Sequence, residues 1–389
     1  MTSMSLTDRV SEVVREYDAQ GWHRTGTDAD VVSASWLAER VRTLGMGAEL
    51  ESFPLDRVEP VTAFIEVDGR TVEGTPLFDC GYYTGADGVR GRLSPASDDG
   101  DIGLVEVPVG GEPASFDELR RANRHRLIVA AIRPNGAAPG PALRNAERFA
   151  APFGAPVLQV AYEDLPWLTA AAASRPEAFA VVHARRVPSQ SFNVFARIPG
   201  KDPSLPPGWV MTPRSGWWNC AGERGGGIAC WLESLRALAA EPPERDVCFV
   251  ASAGHELGHF GLLRFLERRP NAIAESSGWI HLGANIGAAP NPASVIGASD
   301  DAFERALANP LRREGFAPAA STPRGNVPNG ESREIHLAGG RYVSLVGRHQ
   351  LFHQEADRYP QAIDADAIAA ISRAVCAVVR RLGSRDGIR

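Results

Sequence analysis

A strand-like apolar run that ends in glycine, and is followed at once by metal-capable side chains, constrains this chain more than any other feature. The segment reads Val247-Cys-Phe-Val-Ala-Ser-Ala-Gly-His-Glu-Leu-Gly-His259. A short apolar run of this length, bounded by a turn signal, is typical of a buried strand. Open α/β sheets present their active sites at the carboxyl ends of such strands. The segment therefore predicts a strand over 247–253 and places His255 and Glu256 at a strand–loop junction.

The same residues also fit the pattern His-Glu-x-x-His, in which two histidines one helical turn apart hold zinc and the glutamate activates water. That arrangement needs a helix already running at the first histidine, so that both imidazoles share one face. Glycines at 254, 258 and 261 make such a helix unfavourable here. We therefore interpret His255 and Glu256 as site residues. For His259 two interpretations stay open, a metal ligand and a loop histidine.

Length, charge and cysteine content limit the class of protein. The chain has 389 residues, of which 44% are hydrophobic and 23% charged, with a net charge of −6 and five cysteines. This composition is typical of a soluble globular protein of one large or two ordinary domains, and it does not favour a nucleic-acid partner. Residues 1–10 contain no apolar signal segment, and no run approaches a membrane span. Because no C-x-x-C pair occurs, we expect reduced thiols in a cytoplasmic protein that binds no membrane.

The order of predicted elements divides the chain into two parts. Residues 6–46 carry two helix patterns, and from Asn193 onward strands and helices alternate as in βαβ units. Between about 60 and 185, short β-like runs are separated by Gly, Pro and Asp turns. The sequence therefore predicts an α/β fold with a mixed, mainly parallel sheet and flanking helices, built from residues 1–55 and 188–389. A β-rich domain is predicted to be inserted at 60–187.

Five segments spread along the chain share their order and spacing with a known family. They are Thr25-Gly-Thr with the Trp36–Leu44 helix, Phe116-Asp-Glu-Leu-Arg-Arg-Ala-Asn, Phe153-Gly-Ala-Pro-Val-Leu-Gln-Val, Phe192-Asn-Val-Phe-Ala-Arg-Ile-Pro-Gly and Phe352-His-Gln-Glu-Ala-Asp. In this order they resemble the co-catalytic zinc aminopeptidases of the M28 type, whose relatives include the glutaminyl cyclases and the transferrin-receptor-like proteins. The resemblance implies a zinc-aminopeptidase-like fold with a protease-associated-like insert.

The metal site of that family carries over only in part. Glu256 falls on its ligand glutamate, His353 on its late histidine, and Glu223 on its bridging aspartate, with a side chain one methylene longer. Both ligands that belong to the other metal alone are replaced, by Thr212-Pro-Arg-Ser and by Leu282-Gly-Ala-Asn. Two carboxylates and one histidine with an open fourth position are a legitimate catalytic zinc set, and they resemble that of the single-zinc glutaminyl cyclases. The resemblance thus implies one zinc ion held by Glu223, Glu256 and His353.

Other side chains near these positions are candidates for catalysis or substrate binding. His255 stands where the family has its glutamate base, and an unperturbed pKa near 6.5 suits it to proton transfer. Arg214 stands close to the lost metal, where a guanidinium can balance carboxylates or clamp a substrate carboxylate. The candidate substrate-binding residues are Trp217, Trp218, His259, His281, Asn285 and Glu331. For these the alternative, a buried aromatic ring or a polar group that satisfies a loop, stays open.

Three functions are compatible with these residues. Our prediction is a hydrolase of amide-type bonds in a small molecule or short peptide, with one metal that polarises the carbonyl and lowers the pKa of its bound water. The second is a metal-independent hydrolase or lyase in which Arg214 replaces the lost cation. The third is a non-catalytic binding protein on a degenerate peptidase fold. The substrate, exo or endo cleavage and the oligomeric state stay open.

Overall fold

The computed structural model describes residues 4–111 and 114–389, and within these ranges the chain forms nine helices and thirteen strands. Residues 1–3, at the start of the predicted first segment, and residues 112–113, in the predicted insert, lie outside the described part. The helices are α1 (Leu6–Asp18), α2 (Asp28–Thr43), α3 (Ala114–Ala122), α4 (Leu165–Ser174), α5 (Gly226–Ala240), α6 (Phe260–Glu267), α7 (Asp301–Arg313), α8 (Ser332–Leu337) and α9 (Ala365–Gly383). The strands are β1 (Glu49–Val67), β2 (Arg70–Pro76), β3 (Val89–Pro95), β4 (Ile102–Pro108), β5 (Leu127–Arg133), β6 (Val157–Ala161), β7 (Glu177–Ile198), β8 (Gly208–Pro213), β9 (Val247–Ser252), β10 (Gly278–Leu282), β11 (Val295–Ala298), β12 (Ala320–Ser321) and β13 (Tyr342–Val346).

The strands pair in the order β1-β2-β6-β5-β4-β3-β7-β9-β8-β10-β13-β11-β12, and β1 also pairs with β7. The central strands β9, β8, β10 and β13 run parallel, whereas β7 and β11 join this group antiparallel. Every residue of β8, β9 and β10 is buried, as parallel strands covered on both faces require. The predicted mixed, mainly parallel α/β sheet is confirmed.

Helices pack together on this parallel sheet. Helix α5 packs on α9, α1 packs against both, and α7 packs on α9. Helix α9 begins where the Asp364 carboxylate accepts the main-chain N–H of Ala367 at 2.9 Å, and its buried face includes Ile368, Ile371 and Val375. Each such aliphatic side chain stabilises the fold by about 1.5–3 kcal/mol when fully buried. The result is a rigid support for the loops at the carboxyl ends of the parallel strands.

The segment between the two long strands contributes its own group of strands to the sheet and packs hydrophobic clusters around them. Strands β4, β5 and β6 are parallel there, and α4 packs on β3 and β4. Strands β1 and β7 pair antiparallel from Glu49 opposite Phe195 to Val67 opposite Ala178. Both strands therefore run without a break across the predicted boundaries at 55–60 and 187–188. The division into a split catalytic domain and an insert stays a prediction.

The described ranges also bear on two features considered from composition, membrane-spanning helices and cysteine thiols. No helix there combines the length and apolar character that crossing a membrane requires. All five cysteines carry free thiols, and four of them are buried.

Candidate functional site

The His-Glu-x-x-His pattern is broken between its two histidines. After β9 the chain forms a single tight turn at His255–Leu257, and α6 does not begin until Phe260. His259 itself has a left-handed backbone with φ of 62°. The two imidazole rings are 5.0 Å apart, tilted by 37°, but they belong to different local structures. The prediction that these histidines do not share a continuous helix is confirmed.

A cleft of about 1200 Å³ opens at the carboxyl edge of the parallel strands. His255, His259, Asn285 and His353 line it from the C-terminal part of the chain, and residues between 109 and 147 line it from the other side. Three of these four side chains are carried by residues with positive φ: His259, Asn285 and His353. Strained backbone of this kind clusters at ligand sites, where the surrounding structure must hold it. The cleft is therefore the candidate functional site.

Glu223 lies beneath this cleft on a single wide helical turn, Ala221–Gly225, that leads into α5. The Asp357 carboxylate holds the turn, because it accepts the main-chain N–H of Gly222 at 2.6 Å and that of Glu223 at 2.9 Å. The main-chain carbonyl of Glu223 in turn accepts the N–H of Asn285 at 2.8 Å. A loop from the chain's last fifth thus fixes the direction of the Glu223 side chain.

Arg224 and His353 converge on the Glu223 carboxylate. Nη2 of Arg224 lies 2.6 Å, and Nε2 of His353 lies 3.4 Å, from Oε1 of Glu223. Burial works to raise the pKa of Glu223, but the charges of Arg224 and His353 outweigh it and hold that pKa well below its usual range. His353 Nδ1 donates to the carbonyl of Leu143 at 2.7 Å, so Nε2 is the ring nitrogen that faces Glu223. Nε2 of His353 and both carboxylate oxygens of Glu223 have no hydrogen-bond partner among the described residues, so a water molecule or a ligand group can bind between them.

Glu256 is held by hydrogen bonds inside the protein. Its Oε1 accepts the main-chain N–H of Thr25 at 2.8 Å and the hydroxyl of Thr25 at 2.6 Å, and its Oε2 accepts the hydroxyl of Ser215 at 2.7 Å. Burial nevertheless raises the pKa of Glu256, since these bonds offset only part of the loss of hydration. Glu256 therefore joins the first helices of the chain to the site.

The predicted zinc set is not assembled. Among the residues that the structure describes, no three His, Cys, Asp or Glu side chains are grouped so that they could hold a metal ion. Both oxygens of Glu256 are engaged by Thr25 and Ser215, and Glu223 faces a guanidinium whose charge opposes a divalent cation. In this arrangement the residues present do not fit zinc, so the structure does not support one ion at Glu223, Glu256 and His353.

Arg214 also lies elsewhere than expected. Its Nη1 is 2.8 Å from Oδ1 of Asp30 and donates to the Asp30 carbonyl at 3.0 Å, and its Nη2 donates to the carbonyl of Phe192. The side chain is fully buried and does not line the cleft. Its donors therefore serve the protein interior, which does not favour the expected role as a substrate clamp.

His255 reaches the cleft with a carboxylate behind it. Its Nδ1 lies 3.5 Å from Oε1 of Glu331, and the hydroxyl of Ser252 donates to Glu331 at 2.6–2.7 Å. Burial, aided by the positive charge of Arg224, holds the pKa of His255 well below its usual range. The imidazole is therefore neutral near pH 7. Glu331 is fully buried and supports His255 rather than contacting the cleft.

The two other candidate histidines differ in exposure to the cleft. His259 lines the cleft, with its Nδ1 2.8 Å from Glu334. His281 is fully buried, its Nδ1 2.8 Å from the hydroxyl of Ser344, and burial lowers its pKa to about 4. Its Nε2 has no hydrogen-bond partner in the described part of the chain. His281 thus belongs to the layer beneath His255.

The two tryptophans are buried and do not line the cleft. Trp217 packs edge-to-face on Phe78, with ring centroids 4.9 Å apart. Trp218 donates from its indole N–H to the carbonyl of His353 at 2.9 Å. Trp218 therefore holds the strained backbone of His353, and neither ring forms the wall of a substrate pocket.

Sequence reasoning missed four residues that build the site. They are Arg224, Asp357, Thr25 and Ser215. Thr25 and Asp357 stand inside segments that carry the resemblance, and Ser215 ends Thr212-Pro-Arg-Ser. Arg224 directly follows Glu223, but no local pattern shows that its guanidinium turns toward that carboxylate. Thr25 is separated from Glu256 by 231 positions, so its role appears only once the chain is folded.

Comparison with known proteins concerns the fold. No family model and no curated protein matches the sequence. A zinc aminopeptidase from Bacillus subtilis superimposes with a TM-score of 0.77 at 18% identity, over 96% of this chain and 94% of that one. An aminopeptidase from Aneurinibacillus sp. strain AM-1 gives 0.76 at 14%, over 98% and 95%. A peptidase M28 precursor from Shewanella amazonensis gives 0.75 at 15%, over 99% and 96%. The chain therefore has the fold of the M28-type zinc aminopeptidases, which is a peptidase-type hydrolase fold.

Proposed function

We propose that the protein is a metal-independent hydrolase that acts on an amide-type bond in a small molecule or short peptide. The observation that carries this proposal is the 2.6 Å contact between Arg224 Nη2 and Glu223 Oε1. It puts a permanent positive charge beside the carboxylate that the family resemblance marks as the metal bridge. Away from water, a fixed charge of this kind acts on developing charge more strongly than it does in solvent.

The residues around Arg224 have the chemistry that hydrolysis needs. Glu223 and His353 face each other and are suited to hold a water molecule between them. His255 lines the cleft as a neutral imidazole with Glu331 behind it, an arrangement that orients a proton-transfer residue. In this proposal His255 takes a proton from water and returns it to the leaving amine.

A non-catalytic binding protein is the second candidate. It is favoured by the low pKa of His255, because a base whose pKa lies far below working pH accepts protons poorly. The two candidates predict the same cleft and differ only in turnover.

The test combines metal analysis with kinetics. Purified protein is assayed for bound metal, and for hydrolysis of amino-acid and N-acyl-amino-acid amides with and without a chelator. Hydrolysis that the chelator leaves unchanged is expected, with a loss in kcat of about 10²–10⁴-fold in His255→Gln. His183→Gln is the matched control, since this half-buried histidine does not line the cleft. A stoichiometric zinc ion that is required for turnover would overturn the proposal. Ligand-induced stabilisation without turnover across the panel would favour the binding protein.

A further inference from the structure

The charges that line the cleft are mainly positive. Among the described residues, its charged side chains are Arg144, Arg333, Arg348 and Glu147, beside four histidines. Nη1 of Arg333 lies 3.2 Å from Oε2 of Glu147, so this carboxylate is already paired. Arg144 donates to the carbonyls of Pro108 and Gly111 rather than to a carboxylate. The cleft therefore holds more positive than negative charge among these side chains.

Arg348 is the cleft cation that is available to a ligand. It is exposed and lines the cleft, and no ion pair joins it to any residue in the described ranges. A guanidinium in a cleft binds a carboxylate through two parallel hydrogen bonds, an arrangement stronger than a neutral contact. Exposure on a cleft wall, rather than on an open surface, limits the water that competes for this bond.

A ligand ammonium group finds no comparable partner. Three buried glutamates beneath the cleft each face another group of the protein: Arg224 lies 2.6 Å from Glu223, Thr25 and Ser215 donate to Glu256, and Ser252 donates to Glu331. None of these three glutamates lines the cleft. A protonated amine would therefore meet positive charge without a free carboxylate among the described lining residues.

The rim of the cleft adds an apolar surface. Val327 is 50% exposed and Leu337 is 65% exposed, and both line the cleft together with Pro328 and Phe352. Exposed apolar side chains grouped at a cleft mouth are typical of a ligand surface. A ligand that fits both features has a carboxylate and an apolar group.

We propose that the cleft takes amides with a blocked amine and a free carboxylate, of the N-acyl amino acid class, and that Arg348 binds the carboxylate. This substrate class rests on the proposed function, because the acyl–nitrogen bond of such a ligand is the amide to be hydrolysed. Water adds to the acyl carbon, the C–N bond breaks, and the products are a carboxylic acid and an amino acid.

Binding is measured separately from turnover, so that the two proposals can fail independently. N-acetyl-leucine and leucinamide are titrated into the protein by calorimetry. They share the leucine side chain, but N-acetyl-leucine carries a negative carboxylate and leucinamide a positive ammonium group. N-acetyl-leucine is expected to bind and leucinamide to bind at least tenfold more weakly. Arg348→Gln should weaken N-acetyl-leucine binding by about tenfold or more and leave leucinamide unchanged. Arg305→Gln, which removes an exposed arginine on α7, is the matched control.

Each outcome decides one proposal. Selective binding of N-acetyl-leucine that depends on Arg348, without hydrolysis of any amide, supports the ligand class and removes the hydrolase. Hydrolysis of substrates with a free amine, with leucinamide bound more tightly, keeps the hydrolase and overturns the ligand class. Binding of neither compound, or equal loss in Arg305→Gln and Arg348→Gln, also overturns it.

Discussion

Arg224 and Glu223 are neighbours in the sequence, and their side chains form a buried ion pair with 2.6 Å between Nη2 and Oε1. Adjacent residues seldom face each other on a regular helix, because successive side chains diverge by about 100°. Here the wider turn at Ala221–Gly225, held by Asp357, brings both groups to one point. In the proposed function, the Arg224 guanidinium of this pair is the cation that balances the Glu223 carboxylate.

Removing the cation alone should cost more than removing the pair. Arg224→Met leaves the Glu223 carboxylate buried without its main counter-charge, and we expect a loss of about 3–5 kcal/mol in the free energy of unfolding. The double variant Arg224→Met/Glu223→Gln should recover much of that loss. Urea unfolding of the wild type, Arg224→Met, Glu223→Gln and the double variant gives the coupling energy, and equal losses in Arg224→Met and the double variant would contradict a buried pair.

Arg214 should matter for stability and little for catalysis. Arg214→Met leaves the fully buried Asp30 without its ion-pair partner, and we expect a loss of about 3–5 kcal/mol in the free energy of unfolding. Turnover or ligand binding per folded molecule should stay close to wild type, because the guanidinium does not reach the cleft. A variant with unchanged stability and strongly reduced activity would show that Arg214 takes part in binding or catalysis.

Asp357 should act as a positioning residue for Glu223. In Asp357→Asn one of the oxygens that accept the N–H groups of Gly222 and Glu223 becomes a donor, and an unsatisfied buried group costs about 1–3 kcal/mol. We expect that loss in urea unfolding, together with weaker ligand binding at the cleft. Asp386→Asn, at an exposed position, is the control, and identical unfolding curves for both variants would refute this role.

Acid should destabilise the protein through its buried histidines. Burial lowers the pKa of His281 to about 4, while the unfolded value is near 6.5. Between these pH values the unfolded chain binds a proton that the folded state excludes. Stability is therefore fully present above pH 6.5 and falls with acid by about 1.4 kcal/mol per pH unit for this group, on the order of 3 kcal/mol by pH 4. The low pKa of His255 acts in the same direction.

The contribution of His281 can be separated by substitution. His281→Asn can keep the hydrogen bond to Ser344 and removes the titrating ring. Its free energy of unfolding should depend less steeply on pH between 7 and 4 than that of the wild type. Parallel pH profiles for the two proteins would show that this histidine does not titrate as its burial implies.

The main elements of the C-terminal half are predictable from local patterns. The apolar run at 247–253 corresponds to β9, and the alternation of strands and helices predicted from Asn193 onward is present from β8 to α9. Glycines 254 and 258 adopt positive φ, which is why the histidine pair cannot lie on one helix. These features depend on residues within one or two turns of each other.

The charge partners of the site depend on the tertiary structure alone. Arg214 and Arg224 lie ten positions apart and look equally able to supply a cation to Glu223. In the folded chain Arg214 pairs with Asp30, which is 184 positions away. Glu256 accepts a hydrogen bond from Thr25, which is 231 positions away. Sequence by itself determined that carboxylates and histidines gather at the carboxyl edge of a parallel sheet, because strand ends and helix breaks are local. Which cation faces which carboxylate was decided only by the packing of distant segments, because a buried charge takes the partner that the folded chain brings within reach.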